Sequence, residues 1–480
     1  MTVSSESVPR LHEPDAVRMS VRDRWKLAVL MSATFMLAVD FSVLNVALPD
    51  IQRDLGFTLN NLQWVITAFA LPAAGLGLFF GRLGDLVGRR SVFLASMALL
   101  ALGSGLGAIA AEPWVLLFAR VLQGIATAAA APTALALLTT TFPEGPMRAK
   151  ALGINGALLS AGFATGALLG GVLTAGVSWR AAFWINVPVA LFVLFVAPVL
   201  FAESRPTVKP KLDFPGAITI TLGLSAFVYG VSRAGEHGFE DAQVLGALAA
   251  GLALIAVFVV VELRGSHPLI PLSVLRRKNV RLGNLAGLTT FAMMSSFTYL
   301  TTLYLQLVLG LNPVFTGAVI AIIGIVAVVG ALFVPKLIGR FGQVRVLIGA
   351  LVVQGVGTAL VAIAGDHAGS ISLICAGLAI SSLGHISSII GYTVTATSGL
   401  PDTEQGLATG LTSTSQQVAI ALGTPVLAAV VALIAAAERT SSAETSATAL
   451  SGAIGVNAVI SVLVALSLLV GFARRERPQA

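Results

Sequence analysis

The stretch LAVLMSATFMLAVDFSVLNVALP, residues 27–49, decides how the rest of the chain is expected to fold. It is long enough to cross a bilayer as a helix, which takes about 20 apolar residues. One carboxylate, Asp40, stands inside this run. Because an ionisable group in the hydrocarbon region is costly, such a residue usually has a function. We interpret Asp40 as a proton carrier; the alternative is that it reaches the membrane surface or pairs with a polar neighbour.

The composition of the chain is that of an integral membrane protein. Of its 480 residues, 56% are hydrophobic and 11% are charged, whereas about 25% of the residues in a typical soluble domain are charged. The apolar runs have the length of membrane-spanning helices and lack the short alternating pattern of barrel strands. We therefore expect an all-α integral membrane fold.

Fourteen apolar runs, separated by charged or turn residues, are predicted to span the membrane. Their approximate bounds are 27–48, 62–82, 91–110, 114–138, 149–176, 181–201, 214–233, 243–263, 282–308, 314–337, 344–364, 370–395, 405–436 and 450–472. An even number of spans puts both termini on the same side of the membrane.

The basic residues indicate which side that is. With the N-terminus inside, Lys and Arg fall on the inner side of the membrane, as the positive-inside rule predicts. The exceptions are Arg53, Arg180, Arg233 and Arg439 outside and Arg120 within the fourth span. Both termini are therefore expected to be cytoplasmic, and no cleaved signal peptide is expected. The same distribution argues that the net charge of +7 serves topology and not nucleic-acid binding.

The chain also repeats itself at a fixed offset. Residues 81–92, GRLGDLVGRRSV, align at an offset of 254 with residues 335–346, PKLIGRFGQVRV. Parallel repeats of this kind are a common architecture of transporters. We expect two six-helix bundles joined by an inserted helix pair, with these divisions: N-terminal tail 1–26, first bundle 27–201, inserted helices 7–8 and a basic loop 202–280, second bundle 281–472, C-terminal tail 473–480.

The segment between the second and third spans is predicted to act as a conformational switch. Gly81 and Gly88 permit a tight turn and close helix approach. Asp85, Arg89 and Arg90 can form a charge relay that locks one conformation and breaks in the other. The alternative is a basic loop that only sets topology.

The fifth span carries a second predicted switch element. Gly162, Gly166 and Gly170 recur at every fourth residue and are followed by Gly171. In lipid, such a face of small residues allows close contact between helix backbones and sliding along it. A plain packing face is the alternative and is compatible with this interpretation.

The fourth span contains an arginine, Arg120, on the same helical stripe as Gln123. A buried arginine needs a partner or a water-filled cavity, and Asp40 is the carboxylate available in the first half. A nearby cation favours ionised Asp40, whereas burial favours its neutral form. We expect an indirect link between the two and not a permanent salt bridge; the alternative is an Arg120 held by backbone carbonyls alone.

Several of these segments resemble signatures of the major facilitator superfamily. The pattern G-x-L-x-D-x-x-G-R-R at residues 81–90 resembles its loop between helices 2 and 3. AVDFSVLNVALP at 38–49, RVLQG at 120–124, WRAAFWINVP at 179–188 and LYLQLVLG at 303–310 resemble segments of its fourteen-helix drug/proton antiporters. The resemblance covers nearly the whole chain and implies the major facilitator fold.

The fifth span also matches the antiporter motif of that family, G-x8-G-x3-G-P-x2-G-G, with one departure. Ala167 stands at the place of the proline. Because proline kinks a helix, the bend here is expected to be milder or to be supplied by glycine alone.

The second half of the repeat is unlike the first, since Met294 stands at the offset position of Asp40. We infer that proton coupling belongs to the first half and that polar residues of both halves line a substrate cavity. His385 has a second interpretation, as a hydrogen-bonded packing residue. The substrate-cavity candidates are Asn45, Gln123, Asn155, Asn186, Tyr299, Tyr304, Gln306, His385, Tyr392 and Gln416.

Together these features predict a proton-coupled antiporter that exports amphipathic or lipophilic drugs or antibiotics across the cell membrane by alternating access. The sequence has no phosphate-binding glycine loop and no metal-ligand cluster, so no cofactor is expected beyond the proton gradient. Its expected partners are a small-molecule substrate, protons and membrane lipids, and the chain is expected to be a monomer. An uncoupled facilitator or lipid-moving transporter is the alternative. A membrane enzyme is disfavoured because no convergent nucleophile or acid–base set is present.

Overall fold

In the computed structural model, the described residues are 19–142, 146–203, 213–265, 275–365, 369–400, 402–438 and 443–473, and they contain helices but no β-strand. Most of the two predicted tails and of the basic loop lies outside these ranges. The helices are α1 Val21–Leu55, α2 Leu59–Leu62, α3 Trp64–Val87, α4 Arg89–Ala108, α5 Pro113–Thr141, α6 Pro146–Gly176, α7 Ala181–Trp184, α8 Asn186–Leu200, α9 Phe214–His237, α10 Ala242–Arg264, α11 Lys278–Leu303, α12 Pro313–Phe341, α13 Gln343–Ala362, α14 Ser370–Thr397, α15 Asp402–Glu438 and α16 Ala443–Ala473. A π-helical turn, Tyr304–Val308, continues α11.

Twelve helices of the described ranges are long and apolar enough to cross a membrane. The number rises to 13 if Trp64–Gly77 and Phe79–Val87, which are bent by 54°, form one span. Helix α11 is 26 residues long, but its many Ser and Thr side chains make it less apolar than the twelve. The all-α membrane architecture is therefore confirmed, whereas the number of fourteen spans stays a prediction.

The internal repeat is visible in the helix boundaries. Helix α3 ends at Gly88 with φ +125°, and α12 ends at Gly342 with φ +81°, in conformations that L side chains rarely adopt. The helices that follow, α4 and α13, are both 20 residues long. The two glycines, and both ends of the two helices, are separated by the offset of 254 that the sequence repeat predicts.

The two sets of helices meet along two seams. Helices α1 and α3–α8 pack among themselves, as do α11–α16, while α6 contacts α12 and α3 contacts α15 across the halves. The inserted pair α9 and α10 covers the second seam, because α9 packs against both α3 and α15. Gln63 Nε2 donates to Ser232 Oγ at 2.7 Å in that packing, and both residues are buried.

The glycine face of α6 is packed tightly on α1, as the every-fourth-residue pattern predicts. A Cβ at residue 166 would lie 2.0 Å from Ser42 Oγ, and one at residue 170 would lie 2.3 Å from the Val43 carbonyl oxygen. Only glycine permits this approach of the two backbones. Helix α6 is continuous through Ala167, the residue at the position of the motif proline.

Along the seam between α6 and α12, the two halves touch at one end, while glycines near the other end face open space. At the touching end, a Cβ at Gly171 would lie 2.4 Å from the Pro313 carbonyl oxygen, and one at Gly317 would lie 2.4 Å from that of Ala167. At the opposite end, Gly156 of α6 and Gly339 of α12 have no heavy atom within 4 Å of that position. We call these the closed end and the open end.

Candidate functional site

Asp40 lies at the centre of a buried polar network inside the first half. Its side chain is 1% exposed and accepts hydrogen bonds from Arg120 and Gln123 of α5 and from Asn186 of α8. The Arg120 Nη1 to Asp40 Oδ2 distance is 3.1 Å. The Gln123 Nε2 to Asp40 Oδ1 distance is 3.0 Å. Three donors from two helices therefore hold a carboxylate that α1 carries into the bundle.

Arg120 is held by contacts of four kinds. Besides Asp40, its Nη1 donates to Gln123 Oε1 at 2.7 Å, and its Nε donates to the Val65 carbonyl oxygen at 3.0 Å. The guanidinium carbon lies 4.3 Å from the centre of the Phe69 ring, within the range of a cation–π contact. The expected indirect link between Asp40 and Arg120 is therefore wrong, because the pair is a direct ion pair. The alternative of backbone carbonyls alone is also wrong.

Gln123 and Asn186 were predicted to line the substrate cavity, and the structure places them in the Asp40 network instead. Both side chains are fully buried. Gln123 Nε2 donates to Ser104 Oγ of α4 at 2.9 Å as well as to Asp40. Asn186 Oδ1, by contrast, is buried without a hydrogen-bond partner among the described residues. The network thus has one unused acceptor beside the carboxylate.

The predicted switch between α3 and α4 contains one of the expected charge contacts. Arg89 Nε donates to Asp85 Oδ1 at 2.7 Å across the Gly88 break. Glu203, at the end of α8, was not predicted: its carboxylate accepts from the backbone N–H of Arg90 at 3.2 Å and from the backbone N–H of the next residue at 3.1 Å. This is the contact a carboxylate makes at a helix N-terminus. Gly88 leaves room for Glu203, since a Cβ there would lie 2.3 Å from its Oε1.

The other predicted cavity residues of the first half and of α11 make different contacts. Asn45 Nδ2 donates to the Phe41 carbonyl oxygen of its own helix at 3.1 Å. Tyr304 Oη donates to the Gly365 carbonyl oxygen at 2.7 Å, and Tyr299 is 2% exposed. Asn45, Tyr299 and Tyr304 are therefore buried packing residues in this conformation.

Gln306 was predicted to line the cavity and instead joins the two halves. Its Nε2 donates to the Val46 carbonyl oxygen of α1 at 2.7 Å. The π-helical turn Tyr304–Val308 at the end of α11 carries this side chain, and such turns often occur at functional positions. We call this contact the α1–α11 latch.

Three candidates remain partly accessible, namely Asn155, His385 and Gln416. His385 of α14 has Nδ1 2.9 Å from Thr290 Oγ1, and Thr290 Oγ1 in turn donates to Gln354 Oε1 at 2.6 Å. The buried ring of Tyr392 belongs to the same region, since it lies 6.1 Å from the Phe291 ring that contacts His385.

The second half repeats the place of the Asp40 network without its charges. Thr358 lies 254 residues after Ser104, and its Oγ1 is 3.2 Å from Ser381 Oγ. In the Asp40–Arg120 ion pair of the first half, by contrast, both side chains are buried. Met294 stands at the offset position of Asp40, and coupling by the first half alone stays a prediction.

A separate polar cluster lies at the closed end of the first half. Trp179 Nε1 donates to Asp54 Oδ2 at 2.9 Å, and Arg180 bonds to both Asp54 and the Ala110 carbonyl oxygen. The recess beside it has a volume of about 440 Å³ and includes Asp50 and Arg53 in its lining. These contacts join the ends of α1 and α4 to the segment between α6 and α7.

Comparison with known proteins decides the family. The model of the Major Facilitator Superfamily matches residues 30–424. The chain belongs to the major facilitator superfamily. It is 38% identical over 419 residues to the cephamycin export protein CmcT of Amycolatopsis lactamdurans, a match that covers 84% of this chain and 83% of that protein. It is 36% identical over 413 residues to the puromycin resistance protein pur8 of Streptomyces alboniger, with 84% and 80% covered.

Solved structures of other transporters share the fold at low sequence identity. The POT family transporter PepTSo superposes with a TM-score of 0.69 at 14% identity and covers 93% of this chain and 98% of that chain. The nucleoside transporter NupG gives a TM-score of 0.67 at 14% identity, with 93% and 100% covered. The protein is thus a multi-pass membrane transporter of the antibiotic and multidrug export branch of the major facilitator superfamily, and not an enzyme.

Proposed function

We propose that this major facilitator protein exports amphipathic or lipophilic compounds in exchange for protons, with Asp40 as the proton carrier. The observation that carries the proposal is the fully buried Asp40–Arg120 pair with its two amide partners. A buried ion pair is weak support for stability, because desolvation offsets most of its attraction. Its presence inside a transporter is better explained by a change of charge during the cycle.

The network offers hydrogen bonds to both protonation states of Asp40. As a carboxylate, Asp40 accepts from the Arg120 guanidinium and from the amide nitrogens of Gln123 and Asn186. As a neutral acid it must donate one hydrogen bond. Rotation of the Asn186 amide by half a turn would present the unpartnered Oδ1 to that proton. The Asp40 side chain then has hydrogen-bond partners both as a carboxylate and as a neutral acid. A group that gains and loses a proton inside a helix bundle needs such partners in both states.

The helix contacts around Asp40 fit a coupling of its charge to helix movement. The glycine face of α6 packs on α1 at Val39, Ser42 and Val43, next to Asp40 in the sequence. A smooth face allows α1 to shift without side chains that must first disengage. We propose that protonation weakens the hold of Arg120 on α1, and that the halves then rock between a state closed at one end and a state closed at the other.

The orientation of the chain is part of the proposal. With fourteen spans and both termini in the cytoplasm, the open end, at Gly156 and Gly339, faces the cytoplasm of a bacterial cell membrane. Substrate would enter there and leave at the closed end after rearrangement. The similarity to a cephamycin export protein and to a puromycin resistance protein supports this direction of transport. We further propose that the chain acts as a monomer and uses the proton gradient without a cofactor.

One observation favours a second function, uncoupled facilitation or lipid movement. The residue at the motif proline is Ala167, and α6 runs through it without a break. Ala167 also lies at the contact with α12, where its carbonyl oxygen faces Gly317. A transporter without that kink can follow the gradient of its solute alone.

A dye-transport assay with an imposed pH gradient separates these functions. Purified full-length protein in liposomes is given a lipophilic fluorescent cation such as rhodamine 6G, with and without a pH gradient. Proton-coupled export predicts that dye moves against its concentration gradient only while the pH gradient exists, and that nigericin abolishes this accumulation. Dye flux that is unchanged by the pH gradient would support the facilitator instead.

A further inference from the structure

A chain of three polar side chains crosses the second half at the level of α14. His385 Nδ1 lies 2.9 Å from Thr290 Oγ1 of α11, and Thr290 Oγ1 lies 2.6 Å from Gln354 Oε1 of α13. Gln354 Nε2 also donates to the Thr290 backbone carbonyl oxygen at 3.1 Å. Both atoms of the Gln354 side-chain amide therefore bond to Thr290.

These contacts fix the direction of every hydrogen bond in the chain. The carbonyl oxygen of Thr290 can only accept, so the group of Gln354 that meets it is the amide nitrogen. Gln354 Oε1 is then the acceptor from the Thr290 hydroxyl, whose single proton is used in that bond. The remaining contact of the hydroxyl oxygen must be as an acceptor, and His385 Nδ1 must donate to it. In a neutral His385 the proton is on Nδ1, and Nε2 is left with a free lone pair.

The second ring nitrogen has no partner among the described residues. His385 is half-buried, and the Phe291 ring stands against it at a centroid distance of 5.2 Å with an interplanar angle of 88°. An aromatic ring packs against the imidazole in this way but has no N–H or O–H group to donate to the Nε2 lone pair. The imidazole thus has an aromatic ring against it and one hydrogen-bond acceptor that the described residues leave unused.

We propose that His385 Nε2 accepts a hydrogen bond from an N–H or O–H group of the exported compound. This inference rests on the proposed export function and narrows the substrate class to lipophilic compounds, neutral or cationic, that carry such a donor. Asp40 and Arg120 are engaged with each other and with their amide partners in the first half, so His385 gives the second half a polar contact of its own. Compounds without a donor lose this contact.

Two rhodamine dyes test this assignment. Rhodamine 6G carries N–H groups, whereas tetraethylrhodamine ethyl ester is a lipophilic cation of similar shape without them. Binding to the purified full-length protein in lipid nanodiscs at pH 8, by fluorescence anisotropy, reports affinity without any gradient or transport. Three variants are compared with the wild type. His385→Phe removes the acceptor, and His385→Gln keeps an acceptor at a similar reach. Ser387→Ala is the matched control, since Ser387 Oγ donates to the Leu383 carbonyl oxygen of its own helix.

The expected result is selective. His385→Phe should weaken rhodamine 6G binding about fivefold, the size of one neutral hydrogen bond, and change binding of the ester by less than about twofold. His385→Gln and Ser387→Ala should bind both dyes like the wild type. Equal weakening of both dyes by His385→Phe would show a packing role and overturn the proposal, as would no weakening of either. If the wild type binds neither dye, the export function proposed for lipophilic cations fails and the inference fails with it.

A second measurement does not depend on the folding of a His385 variant. The chain has five histidines, and four can be replaced by glutamine, leaving His385. Nitrogen-15 NMR of that histidine should show a proton on Nδ1 and an unprotonated Nε2 at pH 8. Rhodamine 6G should shift the Nε2 signal, and the ester should not. A proton on Nε2 in the free protein, or equal shifts with both dyes, would overturn the proposal.

Discussion

Asp40 Oδ2 and Arg120 Nη1 lie 3.1 Å apart, and their side chains are 1% and 2% exposed. Both side chains are buried among the surrounding helices, so each charge depends on the other for its stability in the bundle. Removal of one partner from such a pair typically costs about 3–5 kcal/mol. In the proposed mechanism, the pair connects protonation of Asp40 to the packing of α1 against α5.

Replacement of Arg120 by leucine should abolish proton coupling. Without the guanidinium, the buried Asp40 carboxylate loses its counter-charge, which removes the stabilisation of its charged form. The expected result is a loss of at least about tenfold in gradient-driven dye accumulation, measured in liposomes together with proton influx. Arg53→Gln is the control, because Arg53 pairs with Asp50 at the surface of the closed end. Gradient-driven transport at the wild-type rate in Arg120→Leu would contradict the role given to the pair.

Replacement of Asn186 by leucine tests the use of its free amide oxygen. The variant cannot donate to the Asp40 carboxylate or accept from the protonated acid, so both states lose a partner and the exchange of protons should slow. We expect dye binding within about twofold of wild type and slower proton-coupled transport. Infrared difference spectra should show a shifted carboxyl band of Asp40. Asn45→Leu is the control, since Asn45 Nδ2 donates to the Phe41 carbonyl oxygen of its own helix. Unchanged spectra and transport rates in Asn186→Leu would show that the Asn186 amide takes no part in proton exchange at Asp40.

Alanine substitutions in α6 should separate its packed face from its open end. Gly166→Ala places a Cβ 2.0 Å from Ser42 Oγ and 2.6 Å from the Val39 carbonyl oxygen, so α1 must move and the protein should lose about 1–3 kcal/mol of stability. Gly156→Ala meets no atom within 4 Å and should be neutral or slightly stabilising. Thermal unfolding in detergent and dye transport measure both effects. Equal behaviour of the two variants would contradict the close contact of α1 and α6.

Loss of the α1–α11 latch should favour opening of the closed end. Gln306→Leu removes the hydrogen bond to the Val46 carbonyl oxygen, worth about 1 kcal/mol or a fivefold change in population. Spin labels at Val177 and Phe315, both exposed at the closed end, should show more of the longer distance by double electron–electron resonance. Gln343→Leu is the control, because Gln343 bonds to Ser398 within the second half. A distance distribution unchanged from wild type would show that the α1–α11 latch does not stabilise the closed end.

Features that depend on the order of residues along one helix could be predicted from the sequence. The glycine face of α6 is one, since a spacing of four fixes which residues share a face whatever lies opposite. The 254-residue repeat is another, and it is preserved in the bounds of α4 and α13. Asp40 and Arg120 could be identified because few charged residues lie inside apolar spans, and a buried charge needs a partner of opposite charge.

Features that depend on the rotation of one helix against another could not be predicted. Gln123 and Asn186 have the same polarity and setting as residues that line a cavity, and only the packing of α5 and α8 turns them toward Asp40. Gln306 lies in a π-helical turn and reaches α1. No local sequence pattern predicts that turn. Glu203 bonds to backbone N–H groups of α4, a contact between segments more than 100 residues apart.

The central claim is that Asp40 carries the proton, and Asp40→Asn tests it most directly. The amide keeps the shape of the side chain and removes the titrating group, while Asp23→Asn near the start of α1 is the control. In liposomes with rhodamine 6G inside and a pH-sensitive dye reporting proton flux, we predict that Asp40→Asn still binds and exchanges rhodamine but moves no protons with it and cannot concentrate it. Proton flux coupled to rhodamine movement in Asp40→Asn at the wild-type ratio would contradict the claim.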